Sequence, residues 1–463
     1  MRNLSRKSRV HALFLVLFFA FSFFASGVGN LEASGVNAAG LKDVEGVQPE
    51  GLIYLKFDFG GMGAADGYIG VSGSEGYDAA KGYGFNQPAN SHDVEAGGEG
   101  ACSDAVSFDF GNAHFKVDLP VGVYKITVTT GNDISDTIEA EDVMQLLFME
   151  GRNAVDSFTI PVTDGQLNIY ASYGVGAQHS ISTLEIEQVS TGTETKPTIW
   201  LCGDSTVCNY YNVTDSAPRG WGEYLKNYID TDTYDIRNDS VSGMRTANMV
   251  ENYFKVVEKY GKEGDILVLS LGINDYVDEL DAYNKTGDPI ESANYVANMT
   301  TLVQKGKERG MTVYLVKQHG DINECRYPVP EKEYFSDELD SIAASEGVGI
   351  INMFKPWLQF CLEKSKAVAE TYYASGVHPN AKGADKLAEI AASQLFPTGE
   401  SVGAVVVDPY TDFDSAAQVA FETVESGEAI SNPHKGYVMT VYNPNMLYEG
   451  KHEYDSLSEL RGI

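Results

Sequence analysis

Pro197-Thr198-Ile199-Trp200-Leu201-Cys202, followed at once by Gly203-Asp204-Ser205-Thr206, decides how the C-terminal half of the chain is read. A short apolar run that ends in a glycine turn reads as a buried strand leaving a sheet, and the serine is presented at the strand's exit. The same pattern recurs downstream. Strands are predicted around Tyr234 to Arg237, Asp265 to Leu271, Met311 to Val316 and Val348 to Ile351. Between them apolar residues return at helical spacing, as in Val250, Phe254, Val257 and Tyr260, or Val296, Met299, Leu302 and Val303. A late helix carries Ala384, Leu387, Ala388 and Ile390. Strands alternating with helices imply a five-stranded parallel sheet covered on both faces, an α/β/α domain over 198–396, with ligands bound beyond the carboxyl ends of the strands.

Four loops of this domain carry chemistry in chain order. The first presents Ser205. Asn238-Asp239-Ser240-Val241-Ser242-Gly243-Met244-Arg245-Thr246 is a turn whose Gly243 brings a backbone N–H close to a ligand. Gly272-Ile273-Asn274-Asp275 offers a side-chain amide, and Val377-His378-Pro379-Asn380 an imidazole just before the last helix. A serine hydroxyl is a poor nucleophile until a base takes its proton, and a histidine with a pKa near ~6.5 can take it and return it to a leaving group. Negative charge then develops on a carbonyl oxygen, where each aimed donor is worth about 3–4 kcal/mol. The backbone N–H groups of Ser205 and Gly243 and the Asn274 amide are assigned to that charge. His319, in Lys317-Gln318-His319-Gly320, follows the fourth strand and is the rival base or a substrate contact.

These four blocks resemble the SGNH, or GDSL-type, hydrolase superfamily, whose signature is Ser, Gly, Asn and His in this order. Gly203-Asp204-Ser205-Thr206, Arg219-Gly220-Trp221-Gly222-Glu223 and Asn238 to Arg245 are most similar to rhamnogalacturonan acetylesterases, over about Lys196 to Phe396. The resemblance implies a flavodoxin-like fold, removal of acetyl groups from pectin through an acyl-enzyme, and no metal or other cofactor. Asp204, Thr206, Trp221 and Arg245 are expected on the substrate side, as is His319 by its position after the fourth strand. Trp221 and Arg245 also read as packing or helix-start residues.

One departure stands out. The superfamily's last block usually reads Asp-x-x-His, whereas this chain reads Ser375-Gly376-Val377-His378. In the serine-protease template, changing the equivalent acid costs on the order of 10⁴ in turnover. Three arrangements stay open: a Ser-His dyad with Ser375 or a carbonyl accepting from the imidazole, a substitute carboxylate from Asp321, Glu324 or Glu370, or a carbohydrate-binding protein whose esterase activity is weak or lost. A lipid or aryl esterase of the same superfamily is a further alternative.

Outside this domain, Arg2, Arg6, Lys7 and Arg9 precede the apolar run Ala12 to Phe21, which reads as a secretory signal peptide over 1–25 and an exported, extracellular protein. The net charge of −33, from 66 acidic against 33 basic residues, argues against nucleic acid or an anionic membrane as partner. The expected partner is acetylated plant cell-wall polysaccharide. The five cysteines are Cys102, Cys202, Cys208, Cys325 and Cys361, an odd count with no metal-site spacing. Cys202 and Cys208 flank the serine turn and read either as a pair or as buried thiols. Tyr54 to Phe59, Ala105 to Phe110, His114 to Leu119 and Tyr124 to Thr129 alternate apolar with polar residues, the pattern of half-buried strands in an all-β sandwich over 51–189. The Gly-Tyr-rich stretch from Gly67 to Phe85 is similar to the jelly-roll, galactose-binding-like module ahead of some pectin-active enzymes, which implies either a sugar-binding domain or a structural cap. Residues 190–197 read as a linker, and 397–463 as an extension without a functional reading. The Asn238-Asp239-Ser240 sequon reads as unused, because a glycan there would block the Gly243 loop.

Overall fold

The computed structural model describes residues 51–397 apart from 62, 110–112, 173–177, 276–288, 323–333 and 365. The expected signal peptide, the extension beyond 397, Glu324 and Cys325 lie outside the described residues. Alternating residues of the N-terminal half form β1 (Tyr54–Phe59), β2 (Ile69–Val71), β3 (Tyr83–Phe85), β4 (Ser91–Glu95), β5 (Asp104–Phe108) and β6 (Phe115–Asp118). The series continues with β7 (Gly122–Thr130), β8 (Ser135–Ala140), β9 (Val143–Glu150), β10 (Val155–Val162), β11 (Gln166–Ser172) and β12 (Ser180–Ser190). One sheet runs β10-β7-β12-β1-β2, with β5 on β12 and β4 on β5, and the other runs β3-β6-β11-β8-β9.

Period-2 patterning fixes which side chains meet between these sheets. Leu167, Ile169 and Ala171 of β11 are buried while their neighbours are partly exposed, and they share one core with Phe57, Ile126 and Leu184 of the other sheet. Phe59 and Phe115 meet edge to face with centroids 4.9 Å apart, joining the two layers.

The second half is built on β13 (Thr198–Gly203), β14 (Asp235–Asn238), β15 (Ile266–Ser270), β16 (Thr312–Lys317) and β17 (Gly349–Asn352), ordered β14-β13-β15-β16-β17 and parallel throughout. Every residue of β13 and β15 is buried, as expected of parallel strands covered on both faces. Ile199 and Leu201 face a cluster containing Trp221, Trp357 and Leu387, whereas Trp200 and Cys202 face Phe254, Met299 and Leu302. A hairpin of β18 (Tyr373–Ser375) and β19 (His378–Pro379) leads into the last helix, Ala381–Leu395. That helix is capped by Asn380, whose Oδ1 accepts from the N–H groups of Lys382 (3.1 Å) and Gly383 (3.3 Å).

The helical spacing from Val250 to Tyr260 is not one α-helix. Thr246–Asn248 and Lys255–Tyr260 are joined by a π-helical turn over Met249–Tyr253, in which the Phe254 N–H reaches back five residues to the Met249 carbonyl at 3.0 Å.

The sandwich and the parallel sheet grip each other through polar side chains. The Arg237 guanidinium of β14, buried beside Trp200 and Phe158, donates to the Gln145 carbonyl (3.2 Å) and Oε1 (2.9 Å) on β9. Asp156 of β10 accepts from Asn209 Nδ2 at 2.8 Å and the Tyr211 hydroxyl at 2.6 Å. Asn209 and Tyr211 belong to the segment that follows Ser205, so the β-domain anchors the chain leaving that serine.

Candidate active site

The carboxyl ends of β13, β14, β15 and β16 bring four loops to one rim of the sheet. Gly203, the last residue of β13, has no room for a side chain: a Cβ there would come within 2.6 Å of Val207 and 3.0 Å of the Ser270 carbonyl. The chain turns at once, with the N–H groups of Val207 and Cys208 both 3.0 Å from the Asp204 carbonyl. Ser205 sits on that turn, and its own carbonyl accepts from the Tyr210 hydroxyl at 2.8 Å. His378 Nε2 lies 3.0 Å from Ser205 Oγ, the separation at which an imidazole can take the hydroxyl proton.

The other two sequence-assigned groups are tied to each other. Gly243 has φ +76°, a left-handed conformation suited to glycine, and is exposed. Asn274 Nδ2 donates to the carbonyl of the next residue, Met244, at 3.1 Å, which links the loop after β15 to the loop after β14 and leaves a second amide hydrogen for a ligand. Asp275 reinforces this link by accepting from the N–H (3.0 Å) and hydroxyl (2.6 Å) of Thr246. Burial pushes the Asp275 carboxyl up to about 6, against the donors of Thr246.

Four residues expected on the substrate side are placed elsewhere. Asp204 is fully buried, accepting from the Thr206 N–H (2.9 Å), the Thr206 hydroxyl (2.8 Å) and Gln318 Nε2 (2.7 Å). Burial raises its carboxyl pKa, and the Thr206 and Gln318 donors and the charge of His378 oppose the rise. Thr206 is consumed in the same network. Trp221 is buried in the core against the last helix, so its ring packs and does not meet a ligand. His319 is also buried, and its Nε2 lies 2.8 Å from the Val377 carbonyl, where it braces the hairpin that carries His378. It is not a rival base. Arg245 remains exposed at the start of the Thr246 helix.

Sequence reasoning passed over Gln318. Its Nε2 also approaches the Ser270 carbonyl (3.3 Å), and its Oε1 accepts from the Ile273 N–H at 3.2 Å. One amide thus joins the loops after β13, β15 and β16; its place directly after a buried strand was the available signal.

His378 Nδ1 has no hydrogen-bond acceptor among the described residues. Ser375 pairs with His378 across the hairpin and is exposed, while the backbone on either side is pinned: Ile322 N–H to the Gly376 carbonyl at 3.0 Å and Arg219 N–H to the Pro379 carbonyl at 2.9 Å. Backbone bonds and His319 therefore hold the imidazole loop in place. Cys202 and Cys208 are buried free thiols, not a disulfide, and burial raises the pKa of both. No group of metal-ligating side chains occurs among the described residues, and no helix there is long and apolar enough to cross a membrane.

Residues 201–386 match the GDSL-like lipase/acylhydrolase family, and residues 55–187 match the family described as beta-agarase/YXIM esterase-like, galactose-binding domain-like. The esterase YxiM of Bacillus subtilis (strain 168), itself described as uncharacterized, is 36% identical over 368 residues, covering 77% of this chain and 93% of its own. The chain belongs to the GDSL-like lipase/acylhydrolase family. The crystal structure of YxiM superposes on this GDSL-type esterase with a TM-score of 0.69 at 34% identity, covering 75% of this chain and 99% of that chain. The two-domain architecture, a galactose-binding-like sandwich followed by a GDSL domain, is thus shared along nearly the whole relative, and the activity class is that of a carboxylic ester hydrolase.

Proposed function

We propose that this esterase is exported and removes acetyl groups from pectic polysaccharide of the rhamnogalacturonan type, through an acyl-enzyme on Ser205. The observation that carries the chemistry is the 3.0 Å contact between Ser205 Oγ and His378 Nε2 at the carboxyl rim of the parallel sheet. His378 takes the hydroxyl proton as Ser205 Oγ attacks the acetyl carbonyl carbon, and the oxyanion accepts from the N–H groups of Ser205 and Gly243 and the Asn274 amide. Collapse expels the sugar oxygen, which takes the proton from His378. A water activated by the same imidazole then attacks the acetyl-serine carbonyl, releasing acetate and restoring the hydroxyl. A dyad suffices for each step, because the imidazole's position is fixed by its hairpin.

The choice of a polymeric sugar substrate rests on the likeness of the serine and glycine blocks to rhamnogalacturonan acetylesterases and on the galactose-binding-like domain packed beside the site. Export rests on the basic and apolar character of residues 1–25. Acetate release from acetylated rhamnogalacturonan, acetylated xylan and a small aryl acetate tests this reading. Release from the first that exceeds the other two and vanishes in Ser205→Ala is the expected result, and no release from either polysaccharide would overturn it.

A further inference from the structure

Strand β9 of the sandwich contains an irregularity that points at the esterase site. Phe148 sits inside β9 with φ +49°, a left-handed conformation that an aromatic residue rarely adopts, and the β8–β9 register shifts between Asp136 and Ile138. The Phe148 N–H is turned to the Thr137 hydroxyl at 3.3 Å. A break of this kind re-aims a side chain, and backbone held in such a region persists where the surroundings enforce it, commonly at ligand sites.

Here the re-aimed side chain lines a cleft of about 360 Å³ between the two domains. Leu147, Phe148 and Glu150 form the sandwich wall; Asn209, Asn248 and Tyr253 stand on the esterase wall, and the cleft runs along the loop 240–244, which includes Gly243. The Phe148 and Tyr253 rings lie 6.2 Å apart, tilted by 52°, with Tyr253 at the end of the π-helical turn. π-Turns, like strand breaks, cluster at functional sites. Two independent irregularities, one from each domain, thus bring two aromatic rings to the same cleft beside the proposed oxyanion loop.

We propose that this cleft is a sugar subsite shared by both domains, in which Phe148 and Tyr253 offer an apolar face to a neutral pyranose ring next to the acetylated sugar. Asn209, held by Asp156 and Asn238, shapes the wall, while the Asn248 amide and the acidic Glu150 lie in reach of its hydroxyls, and Glu150 selects against a uronate at this position. The volume falls within the range of ordinary small-ligand sites, about 300–1,000 Å³. This inference rests on the esterase reading above for its substrate, but not for the binding itself.

The test compares kcat/KM for an acetylated rhamnogalacturonan oligosaccharide with that for a small aryl acetate in the unmutated protein, Phe148→Ala and Phe148→Trp. It adds calorimetric titration of the deacetylated oligosaccharide into Ser205→Ala and into Ser205→Ala with Phe148→Ala. The expected result is a roughly tenfold fall in the oligosaccharide-to-aryl ratio for Phe148→Ala, equivalent to about 1.4 kcal/mol, its recovery in Phe148→Trp, and a matching loss of affinity in the titration. A structural role alone lowers both activities together and leaves the ratio unchanged, which would overturn the proposal, as would equal oligosaccharide affinity with and without Phe148. Binding that depends on Phe148 in a protein that releases no acetate would retire the esterase substrate and keep the subsite; acetate release from the oligosaccharide without dependence on Phe148 would do the reverse.

Discussion

His319 and His378 stand on neighbouring loops of the same rim, yet one is buried against Trp357 and Tyr373 and braces a carbonyl, while the other is half-exposed and reaches the serine hydroxyl. The comparison teaches that an imidazole's use is set by what surrounds it. A histidine enclosed by aromatic rings and bonded to a backbone oxygen has its hydrogen-bonding capacity committed to the fold, whereas one on a hairpin that opens to solvent keeps a nitrogen for the substrate.

The sharpest way to break this contrast is to remove each partner in turn. Ser205→Ala and His378→Ala are each expected to cut kcat by about 10⁴–10⁶ with little change in thermal stability, since neither supports the core; a loss below tenfold would return the nucleophile role, or for His378 the base role, to another group. Asn274→Ala should cost about 10²–10³ in kcat if its free amide hydrogen meets the oxyanion, and little if the amide only ties two loops together. Replacing His319 by Ala is expected to lower kcat about tenfold with KM nearly unchanged and to cost about 1–3 kcal/mol in stability, because a buried carbonyl loses its donor. His319→Gln, which keeps a donor, should recover part of both. A full loss of activity in His319→Ala without loss of stability would restore it as a base. Ser375→Asp, which supplies the acid that the superfamily usually has, should raise kcat up to about tenfold; an unchanged kcat would show that the hairpin already holds the imidazole as well as a carboxylate would.

A last effect, on stability and not on turnover, separates the rim from the sheet beneath it. Asp239, fully buried 3.9 Å from Arg237, has its carboxyl pushed up to about 6 by burial against the opposing charge of Arg237. The folded state therefore holds this proton to higher pH than the unfolded chain, so between about pH 4 and about pH 6 the native state binds more protons and stability falls as pH rises. Asp239→Asn should flatten that slope by on the order of 1–3 kcal/mol over the window, as read from denaturant midpoints at successive pH values. An unaltered slope would place the titration elsewhere.

The strand framework was legible because each signal is local. The alternation in β11 and the unbroken apolar run of β13 report which faces are covered, and that information sits in consecutive side chains. The Ser205, Gly243, Asn274 and His378 blocks were legible because each hugs the exit of a strand or the entry of a helix. What the sequence withheld depends on distant partners. Trp221 and His319 read as ligand contacts until the last helix and Trp357 close over them, and Gln318 looks like any polar residue until three loops converge on its amide. Phe148 is hidden for a different reason: nothing in Leu147-Phe148-Met149 announces a left-handed residue, since the break is imposed by the pairing of β8 with β9.

The Arg237 clamp carries a practical consequence for anyone wishing to shorten or recombine this protein. Because its cation is hydrogen-bonded by Gln145, a residue of the other domain, cutting the gene between the sandwich and the esterase would uncover Arg237, leave it with Asp239 alone as its ionic partner, and strip Asp156 from the chain that leaves Ser205. The two halves therefore depend on each other for side-chain partners. Grafting a foreign sugar-binding module in place of this sandwich would require transplanting Gln145 and Asp156 along with it.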